Sequence, residues 1–137
     1  MIDFSAADRP ITFADFEAGA EFGSQEFQID NAMFELWTSL YPNDAECFPL
    51  MPPGMMAMVL MRGYMHAIPK RAPGNIHAEQ RFDLVRLPNI GDTVITTYRC
   101  VRKEERLGRK WIYLTSETTD EAGDTLFLGR MTTIFAQ

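Results

Sequence analysis

The sequence predicts an α+β domain in which a curved antiparallel sheet wraps a single central helix. Three observations carry this. Residues 55–68 recur at helical spacing and are apolar on nearly every side, with Met58, Met61, Met65 and Ile68 in one stripe and Met56, Leu60, Gly63 and Ala67 in another. The run is too short to be clothed by lipid. Everything after Gly74 reads as strands separated by turns, so those strands have to enclose the helix.

Taken in chain order, residues 1–20 read as an arm with a short turn. Phe22 to Ile29 alternates imperfectly and is a first strand. Asp30 or Asn31 can cap a first helix, whose Met33, Trp37 and Leu40 share a face and which Pro42 ends. Residues 41–53 form a loop rich in Pro, Asn and Asp, and Gly54 precedes the central helix, which Pro69 stops. Gly63 lowers helix propensity, so its presence implies a close backbone approach. Ile76, Ala78, Gln80, Phe82 and Leu84 alternate with His77, Glu79, Arg81 and Asp83. Pro88–Asp92 is a turn, and residues 93–101 and 111–118 are rich in β-branched residues. Glu121–Asp124 is a hairpin turn, and residues 126–135 form the last strand. Strand, helix, buried helix and four strands make one hot-dog domain over residues 1–137.

Composition bounds the function. A chain of 137 residues, 46% hydrophobic, can bury a real core without disulfides or metals. The formal net charge of -6 argues against nucleic-acid binding. Charge is uneven: residues 1–50 hold ten acids and one base, Arg9, so the remainder carries a basic excess that can attract a small anion. Cys47 and Cys100 lie far apart with no clustered histidine, so no metal site is expected and free thiols in a cytoplasmic setting are the default. The first ten residues lack the apolar core of a signal peptide. An exposed sheet edge and an incompletely covered helix point to a dimer.

Several stretches resemble the MaoC-like dehydratases and R-specific enoyl-CoA hydratases. These are Arg81-Phe82-Asp83, then Leu87-Pro88-Asn89-Ile90-Gly91-Asp92-Thr93-Val94, then residues 101–104, Arg109, Trp111 onward and 121–124. Gly54-Met55 is similar to the His-Gly-Met that opens the family's central helix. The resemblance runs from about Phe13 to the end. It implies the hot-dog fold, an acyl-CoA or acyl-carrier-protein thioester as ligand, CoA as part of the substrate rather than a cofactor, and water added or removed at the β-carbon.

The family's catalytic loop carries Asp, four residues, then His. Here the match is Tyr41 to Pro49, with Asp44 in the aspartate's place and Pro49 in the histidine's. Pro53 replaces the histidine before the helix glycine, and the loop is shorter than usual. The resemblance thus makes Asp44 and Glu46 the catalytic candidates, and Tyr41, Asn43, Gly54, Met55 and Met58 the substrate contacts. The backbone N–H groups of Gly54 and Met55 would receive the enolate oxygen at the helix N-terminus.

Each residue has a plainer reading. Asp44 follows Asn43 and can be a turn residue. Glu46 can be a solvated acid, His66 a helix-end residue, and His77 a solvated strand residue. The methionines can be core alone, and the bases Arg102, Lys103, Arg106, Arg109 and Lys110 a solvated hairpin, as can Lys70-Arg71 beyond the helix. The missing histidine leaves two other functions open: a non-catalytic subunit paired with an active hot-dog chain, and an acyl-CoA thioesterase.

Overall fold

A computed structural model describes all residues, Met1–Gln137. The elements are β1 (Glu21–Gln28), α1 (Asn31–Leu40), α2 (Met55–Ala67), β2 (Ile76–Leu84), β3 (Thr93–Arg106), β4 (Arg109–Thr119) and β5 (Thr125–Phe135), with 3₁₀ turns at Phe13–Asp15 and Pro42–Cys47. The strands form one five-stranded sheet in the order β1-β3-β4-β5-β2, every pair antiparallel. This is the hot-dog fold that the order of elements predicts.

Local chemistry sets the boundaries. The Asp30 carboxylate accepts the Met33 N–H at 2.9 Å and caps α1. At the β4–β5 hairpin the Asp120 carboxylate accepts the N–H groups of Ala122 and Asp124, and Gly123 takes φ +90°, which favours glycine. The turn before β3 is fastened to the end of β1: Ile29 N–H donates to Asp92, and Gly91 N–H donates back to Ile29.

Helix α2 lies on the concave face of the sheet. It buries Met55, Val59, Leu60, Gly63, Tyr64 and Ala67. Gly63 is required by the sheet: a Cβ there would sit 2.2 Å from the Tyr98 hydroxyl, which itself donates to the Leu60 carbonyl at 2.6 Å. The close approach implied by Gly63 is therefore to a tyrosine on β3.

Helix α2 is not enclosed on all sides by its own chain, in keeping with the incomplete cover expected of it. The structure differs from the sequence reading in two places, the stripes of this helix and the arm. Ala57, Arg62, Met65 and His66 are exposed, so of the first predicted stripe Met65 is exposed, Met58 and Met61 are half-buried and Ile68 alone is fully buried, while the residues at 55, 59, 60, 63, 64 and 67 are buried. Residues 1–20 are more than an arm. Phe4, Ile11 and Phe16 are buried in the main core cluster beside Phe22, Tyr98 and Phe135. A second cluster, Ile29, Met33, Met51, Met55, Val59, Val94, Leu126 and Phe127, fills the other end of α2. Edge strand β2 is the least covered element, with Gln80 and Phe82 half-buried and the rest exposed. No helix is long and apolar enough to cross a membrane.

Candidate active site

The loop from Tyr41 to Gly54 is anchored at both ends and along its length. The Tyr41 N–H closes α1 on Trp37, and the Asp44 N–H donates to the Tyr41 carbonyl at 3.0 Å, which starts the 3₁₀ turn. Further on, Met51 N–H donates to Pro88 and Ile90 N–H to Pro49, so the segment before α2 is tied to the turn before β3. The loop therefore holds its residues against the N-terminus of α2 rather than swinging free.

Trp37 organises the site. Its indole N–H donates to the Asp44 carboxylate at 2.7 Å. The Tyr41 ring lies over the indole, centroids 4.6 Å apart. The benzo edge of the indole rests on Gly54: a Cβ on Gly54 would meet the ring at 2.6 Å, so only glycine permits the contact. One side chain thus joins the half-buried Asp44, the exposed Tyr41 and the glycine that opens α2. Of the residues singled out in sequence, Asp44, Tyr41 and Gly54 come together. Asn43 and Glu46 are exposed, and neither side chain hydrogen-bonds to the protein. The helical spacing places Trp37 on the apolar face of α1 but does not reveal that its indole N–H bonds seven residues away across the loop.

The helix N-terminus offers fewer donors than expected. Met55 N–H is taken by the Pro52 carbonyl at 3.0 Å, and Met56 N–H by Pro53 at 3.1 Å. Pro52 and Pro53 have no N–H. Of the expected pair, Gly54 keeps the unengaged donor, and Met55 is a fully buried core residue instead. Met58, one turn on, is half-buried and packs at the edge of the methionine-rich cluster. This floor of unbranched thioethers can reshape around varied apolar ligands.

Neither histidine hydrogen-bonds to the loop that carries Asp44. His66 is exposed in the last turn of α2, at the opposite end of the helix from Gly54. His77 is exposed on β2 with its Nε2 3.1 Å from Gln80 Oε1. Three of the five bases of the hairpin are also occupied locally. Arg102 lies over Tyr113 at 3.7 Å, Arg106 over Trp111 at 4.5 Å and Lys103 over Phe13 at 4.6 Å, while Glu104 bridges both arginines. No cluster of His, Cys, Asp or Glu suited to a metal is present.

No family model matches the chain, and no curated protein matches it. Solved structures do resemble it. A monoamine oxidase regulatory protein from Archaeoglobus fulgius aligns with a TM-score of 0.80 at 14% identity, over 94% of this chain and 96% of that one. A MaoC-like dehydratase from Rhodospirillum rubrum aligns with a TM-score of 0.75 at 13% identity, over 93% and 98%. An R-hydratase from Pseudomonas aeruginosa aligns with a TM-score of 0.71 at 16% identity, over 92% and 86%. A 3R-hydroxyacyl-ACP dehydratase complex and a double hot-dog protein, both from Mycobacterium tuberculosis, and two proteins described as a hypothetical and a probable thioesterase, from Streptococcus pneumoniae and Bartonella henselae, also share the fold. The chain has the hot-dog fold that these solved structures share.

Proposed function

We propose that this chain binds acyl thioesters of CoA or a carrier protein and adds water at, or removes it from, the β-carbon. The observation that carries the reading is the Trp37 bridge, which fixes the Asp44 carboxylate beside the glycine opening α2. In the hydration direction, Asp44 takes a proton from water as the water oxygen bonds to the β-carbon. The electron pair of the double bond shifts toward the thioester carbonyl, and the Gly54 N–H at the positive end of the helix receives the charge. Asp44 then returns its proton to the α-carbon, so one water is added and nothing else is consumed. Tyr41 walls the entrance, and Met58 and the cluster beneath it receive the acyl chain.

Pairing with a second hot-dog chain, identical or different, belongs to this proposal. Edge strand β2 leaves its outer ladder groups free, and the Ala57, Arg62, Met65 face of α2 is uncovered. A second reading, that the chain is the non-catalytic partner in such a pair, has its own support. Pro49 stands where the related loops carry a histidine, and only one of the two expected N–H donors is free.

The test is turnover of a panel of enoyl-CoAs, crotonyl-CoA included, beside Asp44→Asn. Loss of the enoyl absorbance by the wild-type chain, reduced about 10²-fold or more in the variant, is the expected result. Crotonyl-CoA binding without turnover, regained on adding a hot-dog chain with an intact Asp and His, selects the second reading. Release of free thiol marks a thioesterase, and absence of both binding and turnover overturns the proposal.

A further inference from the structure

A second polar recess lies near the other end of α2. Tyr64 is ten residues beyond Gly54, about 15 Å along the helix axis. There Tyr64 and Met61 of the helix, Arg71 and Asn75 of the following loop, His77 of β2 and Met131 of β5 surround a cavity of about 160 Å³. Thr133 completes the wall, and its hydroxyl is already committed to the Ile76 carbonyl at 3.0 Å.

Three of the polar groups around this recess, Arg71, Asn75 and Tyr64, offer donors, beside His77 and the hydroxyl oxygen of Thr133. No carboxylate lines it. Asn75 Oδ1 accepts the Ala136 N–H at 3.0 Å, which fixes the orientation of the amide and leaves Nδ2 as the donor. That Nδ2 is buried with no partner in the chain. An unpartnered buried donor costs about 1–3 kcal/mol, so the group is one a ligand gains by satisfying. The Tyr64 hydroxyl has no hydrogen bond within the protein, and burial pushes its pKa up to about 12 against the opposing charge of Arg71, so it stays a neutral donor. Arg71 makes no ion pair. One of its terminal nitrogens donates to the carbonyls of Met65 and Ile68 at the end of α2, which fixes the guanidinium at the recess wall. Met61 and Met131 supply the apolar side.

We propose that this recess binds a short-chain carboxylate, its oxygens received by Arg71, Asn75 and Tyr64 and its alkyl part by Met61 and Met131. Three fixed donors of which one is a guanidinium suit a planar, two-oxygen anion, since the fork of an arginine pairs with both oxygens. The thioether walls favour an alkyl group over a bare ion. The inference stands independently of the thioester proposal, because none of its residues belongs to the loop beside Gly54.

The experiment is calorimetric titration with sodium butyrate, with butyramide and inorganic phosphate titrated at matched ionic strength. Butyrate is expected to bind saturably with one site per chain, while butyramide, which has the shape without the charge, and phosphate, which has charge without the alkyl part, do not. Tyr64→Phe keeps the ring and removes the donor, and is expected to weaken butyrate about tenfold. Asn75→Asp keeps an acceptor for Ala136 N–H and sets a carboxylate in the recess, so it is expected to abolish binding, with far-UV circular dichroism confirming the fold. The proposal is overturned by no saturable heat with the wild-type chain, by equal binding of phosphate, or by butyrate affinity unchanged in Tyr64→Phe. Each of these is readable even if Asn75→Asp fails to fold.

Discussion

The two ends of helix α2 are packed with different materials. Where the arm folds back, Phe4, Phe16, Phe22, Tyr98 and Phe135 meet with ring centroids 5.2–6.0 Å apart, mostly edge to face. Beneath the loop that carries Asp44, the buried residues are Met33, Met51 and Met55 among Ile29, Val59, Val94 and Leu126, with Phe127 the one fully buried ring. Interlocked rings have few alternative packings, and each contact adds a directional contribution beyond the area it buries. Methionine has three rotatable bonds and fills irregular space without fixing it. One end of the helix is thus set rigidly against the sheet, and the candidate binding end rests on material that can move.

The sharpest way to break this comparison is to cut one ring at the rigid end. Phe22→Ala is expected to lower stability by about 3–5 kcal/mol, since the rings of Phe4, Phe16 and Tyr98 cannot collapse into the space together. At the other end, Met33→Leu conserves volume and is expected to cost less than about 1.5 kcal/mol. Urea unfolding of both variants reads the difference. Equal costs would show that the methionine end is as strictly packed as the aromatic one.

A smaller effect is expected at the boundary between the adaptable core and the loop. Gly54→Ala places a Cβ where the Trp37 ring now lies, 2.6 Å from its edge, so the indole must shift and its 2.7 Å bond to Asp44 is lost. The expected cost is about 1–3 kcal/mol. In a Trp111→Phe background, emission then reports Trp37 alone, and Gly54→Ala should move its maximum and its quenching. An unchanged spectrum would show that the ring is not wedged between Gly54 and Asp44.

What could be read from the sequence follows the same division. The helix bounds at Gly54 and Pro69, the Asp30 cap and the β4–β5 turn were legible because each depends on neighbours a few residues away, whereas Gly63 signalled a close approach without showing that it comes from Tyr98 on β3. The rigid end was not. Phe4, Ile11 and Phe16 are single anchors on turns, with no period of two or 3.6 to mark them, and their partners lie on β1, β3 and β5. Alternation in β2 set its register but did not show that the sheet would leave it at an edge with most of its apolar residues exposed. At the site, Asp44 and Gly54 were visible as residues, yet the indole joining them is a tertiary fact, set by how the loop closes. The engaged Met55 N–H has a local cause: the rings of Pro52 and Pro53 hold φ near the helical value, so their carbonyls accept the N–H groups of Met55 and Met56 and start the turn before α2.

The smallest expected effect asks whether charge as well as aromatic burial holds the arm. Asp15 accepts both terminal nitrogens of Arg9, at 2.7 and 2.8 Å, and the Thr12 N–H at 2.8 Å. The Arg9 bonds, aided by those from Thr12, hold its carboxyl well below the usual carboxylate range. A pKa depressed in the folded state means that the unfolded chain binds the proton first. The interaction is therefore fully present above about pH 4, where the unfolded carboxylate is ionised, and is lost progressively as the pH falls below that toward the folded value. Because Arg9 is largely exposed, the contribution is on the order of 0.5–1 kcal/mol. Asp15→Asn is expected to be less stable than the wild-type chain by that amount at pH 7, with the gap narrowing at pH 3. A gap that stays constant from pH 7 to pH 3 would mean that Asp15 acts through the shape of its turn alone, leaving the rings of Phe4 and Phe16 to hold the arm.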